Sequence, residues 1–157
     1  MHERPTIHLA ADHAGLERKN EVLGWLKDEG YMVVDHGAHH VDEQDDFPDF
    51  IKLAAEAVSK DPTTRAIIFG GSGQGEAMVA NRFPHVRATV FYGGNEEIIT
   101  LSRQHNDANI LSVGARFVTF DTLTRVLGCW LTEPFSTDLK YLRRNQKIEH
   151  LTKDLSL

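Results

Sequence analysis

One cysteine, Cys129, stands alone among 157 residues, so no intrachain disulfide forms and no cysteine-based zinc site exists. No run of about 18 apolar residues occurs, which excludes the usual membrane-spanning helix. The opening stretch Met1–Pro5 is polar and lacks the apolar core of a signal peptide. A basic excess is missing as well. Seventeen Lys and Arg face 23 Asp and Glu, a net charge of −6, whereas a dedicated nucleic-acid binder carries a basic stripe. These gaps lead us to expect a reducing, cytoplasmic setting, with neither nucleic acid nor membrane as partner. What is present is ordinary. The 41% hydrophobic and 25% charged fractions suit a soluble globular chain and exclude disorder, collagen-like repeats and coiled coil. The length suits one domain over residues 1–157. A chain of this size buries about 68–70% of its unfolded surface and needs no staples. No internal repeat, low-complexity tract or linker interrupts it.

Short β-rich runs alternate with helical spacing. Thr6–Ala10, Tyr31–Val34, Ala66–Phe69, Arg87–Phe91 and Asn109–Val113 read as strands. Leu16–Glu29, a segment opened by Pro48, Glu76–Asn81, Glu96–His105 and Asp121–Leu131 read as the helices between and after them. A basic amphipathic helix, 138–151, closes the chain. Strand then helix, repeated five times, predicts an α/β fold with a parallel sheet covered on both faces. Ligands of such sheets bind beyond the carboxyl ends of the strands. That rule selects three loops: 11–15, 70–75 and 92–95.

The loop Gly70-Gly71-Ser72-Gly73-Gln74-Gly75 follows an apolar strand and precedes a helix. Glycines let backbone N–H groups turn toward a ligand, and the helix start adds positive dipole there. Such a loop can hold a phosphate, or an oxyanion that forms during reaction. It lacks the Lys-Ser/Thr pair of a Walker A loop and the dinucleotide glycine spacing; a plain tight turn is the bland alternative. Glu76 follows, either as a favourable charge at a helix start or as a general base beside the N–H donors. Asp12-His13 pairs an acid with an imidazole that can bind an anion or transfer a proton, or serve structure alone. His105 ends a helix, where the dipole favours a charged imidazole whatever its role. Arg116, Arg143, Arg144 and Lys147 can ligate phosphate or simply face solvent. Arg143 and Lys147, four residues apart, share a helix face. His36, His39 and His40 lie among five acidic residues, but their spacing fits a solvated acidic loop better than a metal site.

Taken together, these segments resemble the ribose-5-phosphate isomerase type B family, which includes galactose- and allose-6-phosphate isomerases. The resemblance rests on Ala11-Asp12-His13-Ala14-Gly15, Asp46-Phe47-Pro48, and Gly71 through Gly75 running into Ala80-Asn81-Arg82. It rests further on Ser102 through Asp107, Gly114-Ala115-Arg116 and the tail from Arg143 to Glu149. These occur in family order from about residue 6 to 150.

The resemblance implies a three-layer Rossmann-like fold whose five-stranded parallel sheet has order 2-1-3-5-4. It implies an aldose–ketose isomerase needing no metal or organic cofactor, and a homodimer, in some members paired into a tetramer. Its active sites would be shared, with His105 and Arg116 reaching the partner's pocket. Glu76 would be the base, since Gly70 stands where another branch has a cysteine. Ser72, His105 and Asp12 would assist proton movement and ring opening. His13, Gly71, Gly73, Gln74, Gly75, Asn106, Arg116, Arg143 and Lys147 would bind the sugar phosphate. The helix 138–151 would contribute to the phosphate site and the dimer. Two departures stand out: Phe47 replaces a frequent tyrosine, and Lys147 replaces an arginine, keeping charge but losing bidentate geometry. The substrate expected is ribose 5-phosphate, with another aldose phosphate such as allose 6-phosphate, galactose 6-phosphate or a tetrose phosphate as the nearest alternative. A non-catalytic nucleotide- or phosphate-binding module would leave Glu76, His105 and Asp12 without a task. A receiver domain would need an acidic pair after the first strand.

Overall fold

A computed structural model describes residues 4–151 and 153. Met1–Glu3, the ends of the expected 1–157 domain and of its polar opening, lie outside the described residues, as do 152 and 154–157. The elements follow in the order β1 (Ile7–Ala11), α1 (Leu16–Asp28), β2 (Val33–Asp35), α2 (Phe47–Lys60), β3 (Arg65–Gly70), α3 (Gln74–Ala80), β4 (Ala88–Phe91), α4 (Glu97–Asn106), β5 (Ile110–Gly114), α5 (Phe120–Thr132) and α6 (Leu139–His150). All pairings are parallel and the sheet order is β2-β1-β3-β5-β4.

Alternation along each strand divides the core into two layers. Ile7, Leu9, Ala11, Ile67, Phe69, Leu111 and Val113 point to one face, against Val22 and Leu26 of α1, Ile99 of α4 and Leu123, Leu127 and Trp130 of α5. Ala10, Ala66, Ile68 and Ile110 point to the other, against Ile51, Ala54, Ala55 and Val58 of α2 and Ala80 of α3. The result is a three-layer α/β/α fold. Each large apolar side chain so buried contributes roughly 1.5–3 kcal/mol.

Most boundaries lie within a residue of those expected; two starts are displaced by two residues, each with a local cause. β2 starts at Val33 rather than Tyr31, because Tyr31 is taken up in the cap that closes α1. Gly30 adopts φ +81° and the Tyr31 N–H donates back to the Leu26 carbonyl at 2.9 Å, closing α1 with a left-handed cap. α3 starts at Gln74 rather than Glu76, since Gly73 adopts φ +77° and caps it. Glu76 is therefore the third residue of α3, within its first turn.

Candidate active site

Because β1, β3 and β5 are neighbours and parallel, their carboxyl ends bring three loops side by side. The turn 12–15 follows β1, residues 71–73 follow β3, and Ala115-Arg116 follows β5. Backbone bonds tie the last two loops together. The Ala115 N–H donates to Gly70 O at 2.8 Å and the Arg116 N–H to Gly71 O at 3.2 Å. Ser112 Oγ donates to Gly73 O at 2.6 Å. A β-carbon at Gly73 would stand 2.9 Å from the Val113 carbonyl carbon, so glycine is required for closeness as well as for its φ. Among the described residues, the N–H groups of Gly71, Ser72 and Gly73 meet no acceptor, and that of Gln74 makes only a long bond of 3.4 Å to Ser72 Oγ. These are donors available to a ligand.

Glu76 faces the same place. It is 5% exposed, and its carboxyl lies over the Cα of Gly70, in the space a β-carbon there would need. Burial pushes its carboxyl above the usual range, its own backbone N–H opposes that, and the negative charge of Asp12 adds to the rise. A carboxylate so held is a better proton acceptor than one in water. Asp12 is buried beside it, its Oδ1 accepting from the Gly15 N–H at 3.1 Å.

The loop between β2 and α2 adds a residue the sequence reading had treated only as part of an acidic run. Asp45 accepts from the His13 backbone N–H at 3.0 and 3.3 Å, and its Oδ1 lies 2.5 Å from His13 Nδ1. Nothing in the sequence signals a pairing across 32 positions. Asp12, His13 and Asp45 do bring ligand atoms within 4.8 Å of one another, but the His13 and Asp45 atoms already bond each other. His36, His39 and His40 do not converge. His36 Nε2 lies 3.0 Å from His8 Nδ1, His39 is 3.8 Å from an Asp35 oxygen, and His40 is exposed. Phe47, the other departure noted, packs its ring where a β-carbon at Gly75 would come within 2.8 Å.

The remaining predicted residues lie elsewhere in the same chain. α4 runs back from β4 to the start of β5, so His105 and Asn106 are at the amino ends of the strands, opposite the loops. The His105 ring stacks on Tyr141 of α6 with centroids 4.1 Å apart, and its carbonyl accepts from Asn145 Nδ2 at 2.9 Å. Those contacts fix α6 beside α4. Arg143, Arg144 and Lys147 are exposed on α6. The predicted residues thus fall into two groups: Asp12, His13, Ser72 and Glu76 at the loops, and His105, Asn106, Arg143 and Lys147 on α4 and α6. Arg116 lies beside the loop after β3 of its own chain. Its N–H donates to Gly71 O, and its guanidinium lies over Gly71, 3.0 Å from where a β-carbon would lie.

With this geometry in hand, likeness to known proteins is informative. Residues 7–149 match the model of the ribose/galactose isomerase family. Ribose-5-phosphate isomerase B of Mycolicibacterium paratuberculosis is 33% identical over 138 residues, which are 88% of this chain and 86% of that protein. The structure of ribose-5-phosphate isomerase B from Mycoplasma genitalium with bound ribulose-5-phosphate superposes with a TM-score of 0.91 at 34% identity, over 98% of this chain and 100% of that one. The Clostridium thermocellum ribose-5-phosphate isomerase B structure gives 0.88 at 37% identity, over 94% and 97%. Among the described residues, no helix is long and apolar enough to cross a membrane.

Proposed function

The chain belongs to the ribose/galactose isomerase family, and on that basis we propose that it is an aldose–ketose isomerase interconverting ribose 5-phosphate and ribulose 5-phosphate. The observation that carries the reading is the buried Glu76 carboxyl, set against Gly70 beside backbone N–H groups that have no other acceptor. A base next to oxyanion donors is what proton abstraction beside a carbonyl demands.

The sugar binds with its phosphate toward His13, Arg116 and, from a second copy of the chain, Arg143 and Lys147. The second copy's His105, with Asp12, assists opening of the ring, and its Asn106 contacts the open chain. Glu76 then takes the proton from C2. The C2–H electron pair forms the C1–C2 double bond and the carbonyl pair moves onto O1, giving a cis-enediolate. N–H groups of Gly71, Ser72, Gly73, Gln74 and Gly75 stabilise the charge on O1, where one such donor is worth about 2.7–4 kcal/mol. Ser72 moves a proton between O1 and O2, and Glu76 returns its proton to C1. The base supplies about 10²–10⁴-fold; the phosphate grip holds C2 against it.

The need for a second copy is supported by the division of the site, because residues at opposite ends of one sheet cannot meet a single sugar. It is supported also by large apolar side chains left exposed on α6, Leu139, Leu142 and Ile148, and near the loops, Tyr92 and Phe117. A homodimer with shared sites follows, in which α6 serves both contact and phosphate binding. The lone cysteine fits a cytoplasmic home. Assay of ketose formation from ribose, allose and galactose phosphates and a tetrose phosphate tests the substrate. The highest kcat/KM is expected with ribose 5-phosphate. A hexose phosphate in that place would move the assignment within the family, and no ketose from any of them would overturn it.

A further inference from the structure

His13 is held by one carboxylate through two groups. Its backbone N–H donates to Asp45 at 3.0 Å, and its Nδ1 meets Asp45 Oδ1 at 2.5 Å. The side chain of Asp45 is 7% exposed, while that of His13 is 30% exposed. A carboxylate at Nδ1 makes that nitrogen the proton donor, so Nε2 is the nitrogen left to face a ligand. The hydrogen bond to Asp45 lifts His13 above the usual imidazole range, partial desolvation opposes it, and the charges of Asp12, Asp45 and Glu43 add to the rise. Those three groups, from the turn after β1 and from the loop before α2, are all acidic. None of them is a phosphate ligand, and each would repel a phosphate.

We propose that Asp45 is a positioning residue. It fixes the His13 ring through two hydrogen bonds and keeps Nε2–H as a donor aimed at the substrate phosphate. This rests on the isomerase reading above. An acidic residue beside a phosphate site would otherwise only weaken it. Its benefit is to keep His13 charged in the range where a free imidazole is neutral. Loss of the carboxylate therefore matters little in mild acid, where His13 is protonated without help, and grows as pH rises. The geometry also explains why the loop 36–46 runs back over the β1 turn, since Asp45 anchors it there.

The test is Asp45→Asn, assayed for KM and kcat with ribose 5-phosphate across pH, with the His13 ring followed by NMR. KM is expected to match the wild type near about pH 6, close to the free imidazole value. By about pH 8 it should rise on the order of tenfold, the size of one charge-assisted hydrogen bond, with kcat changing far less. The His13 titration should move down in the variant, and Asp45→Glu should restore both profiles. If the asparagine variant does not fold, Asp45→Ser carries the same measurements. A KM that follows the wild type at every pH, or one raised equally at every pH, overturns the proposal. If the wild type proves not to isomerise sugar phosphates, the function reading fails separately. The His13 titration, followed with inorganic phosphate as probe, then still decides: an unchanged titration in Asp45→Asn rejects the coupling.

Discussion

The carboxyl group of Glu76 fills the space in which a side chain at Gly70 would begin. The two positions are six residues apart, at the end of β3 and in the first turn of α3, yet only one of them can carry a functional group into this corner. The resemblance drawn from the sequence set a cysteine before the glycine loop against a glutamate after it. The packing gives a physical reason for the two to exclude each other. It predicts that Gly70→Ala displaces the carboxyl and lowers kcat by about 10²–10⁴-fold, as removal of the base would. The double variant Gly70→Ala with Glu76→Ala should be no slower than Glu76→Ala alone. Full additivity of the two losses would mean that Gly70 acts independently of Glu76.

The same burial has a consequence for stability. Glu76 binds its proton more tightly in the folded chain than the usual carboxyl near 4.5, through burial first and through Asp12 as well. The folded state then holds a proton that the unfolded chain has released, so stability falls as pH rises from that usual value through the raised one. Glu76→Gln removes this pH dependence. In urea titrations it should be more stable than the wild type at about pH 7 and no more stable at about pH 4. Equal stability at both pH values would contradict a desolvated carboxylate.

Lys19 is fully buried in α1 and donates from Nζ to both oxygens of Asp35 at 2.8 and 2.7 Å. Asp35 also accepts from the Gly37 N–H at 2.9 Å, so the pair joins α1 to the start of the loop that carries Asp45. Lys19→Met leaves that carboxylate without its cation. It should lower unfolding free energy by about 3 kcal/mol, the lower end for breaking a buried pair, because the Asp35 side chain is 19% exposed. Lys19→Met with Asp35→Leu should recover part of the loss. A loss below about 1 kcal/mol for Lys19→Met would mark the pair as energetically idle.

The proposed sharing of sites between copies has a direct consequence for mixtures. Glu76→Gln damages the loop half and Arg143→Ala the helical half. In a mixed dimer both lesions fall in one site and the other is intact. Subunit exchange between two weakly active variants should therefore restore about a quarter of wild-type activity, from statistical pairing in a twofold assembly. No recovery after verified exchange would place each site within one chain.

Much of this was legible in the sequence. The strand-and-helix alternation gave all five strands, because strands buried on both faces read as apolar runs such as Ala66–Phe69. The placement of Gly71 through Gly75 at the end of β3, with Glu76 in the helix behind them, was readable because glycines clustered after an apolar run end a strand. Three features were not. The start of α3 depends on the conformation of Gly73, which the sequence permits but does not require. Asp45 finds His13 only once β2 lies beside β1 and the following loop turns back. The closeness of the Arg116 guanidinium to Gly71 arises only because β3 and β5 are neighbours, which the sheet order provides. The acidic histidine-rich loop invited a metal reading. Its histidines separate because His36 follows β2 and pairs with His8 on β1, while His39 and His40 lie beyond the sheet edge.

The central claim is that Glu76 carries the proton between two sugar carbons. Turnover of ribose 5-phosphate in heavy water, with saturating substrate, reads that transfer directly. The wild type should place solvent deuterium on C1 of the ketose, where the proton taken from C2 is returned, and folded Glu76→Gln should lose both turnover and exchange by about 10²–10⁴-fold. Deuterium entering the sugar at an undiminished rate in Glu76→Gln would contradict the account.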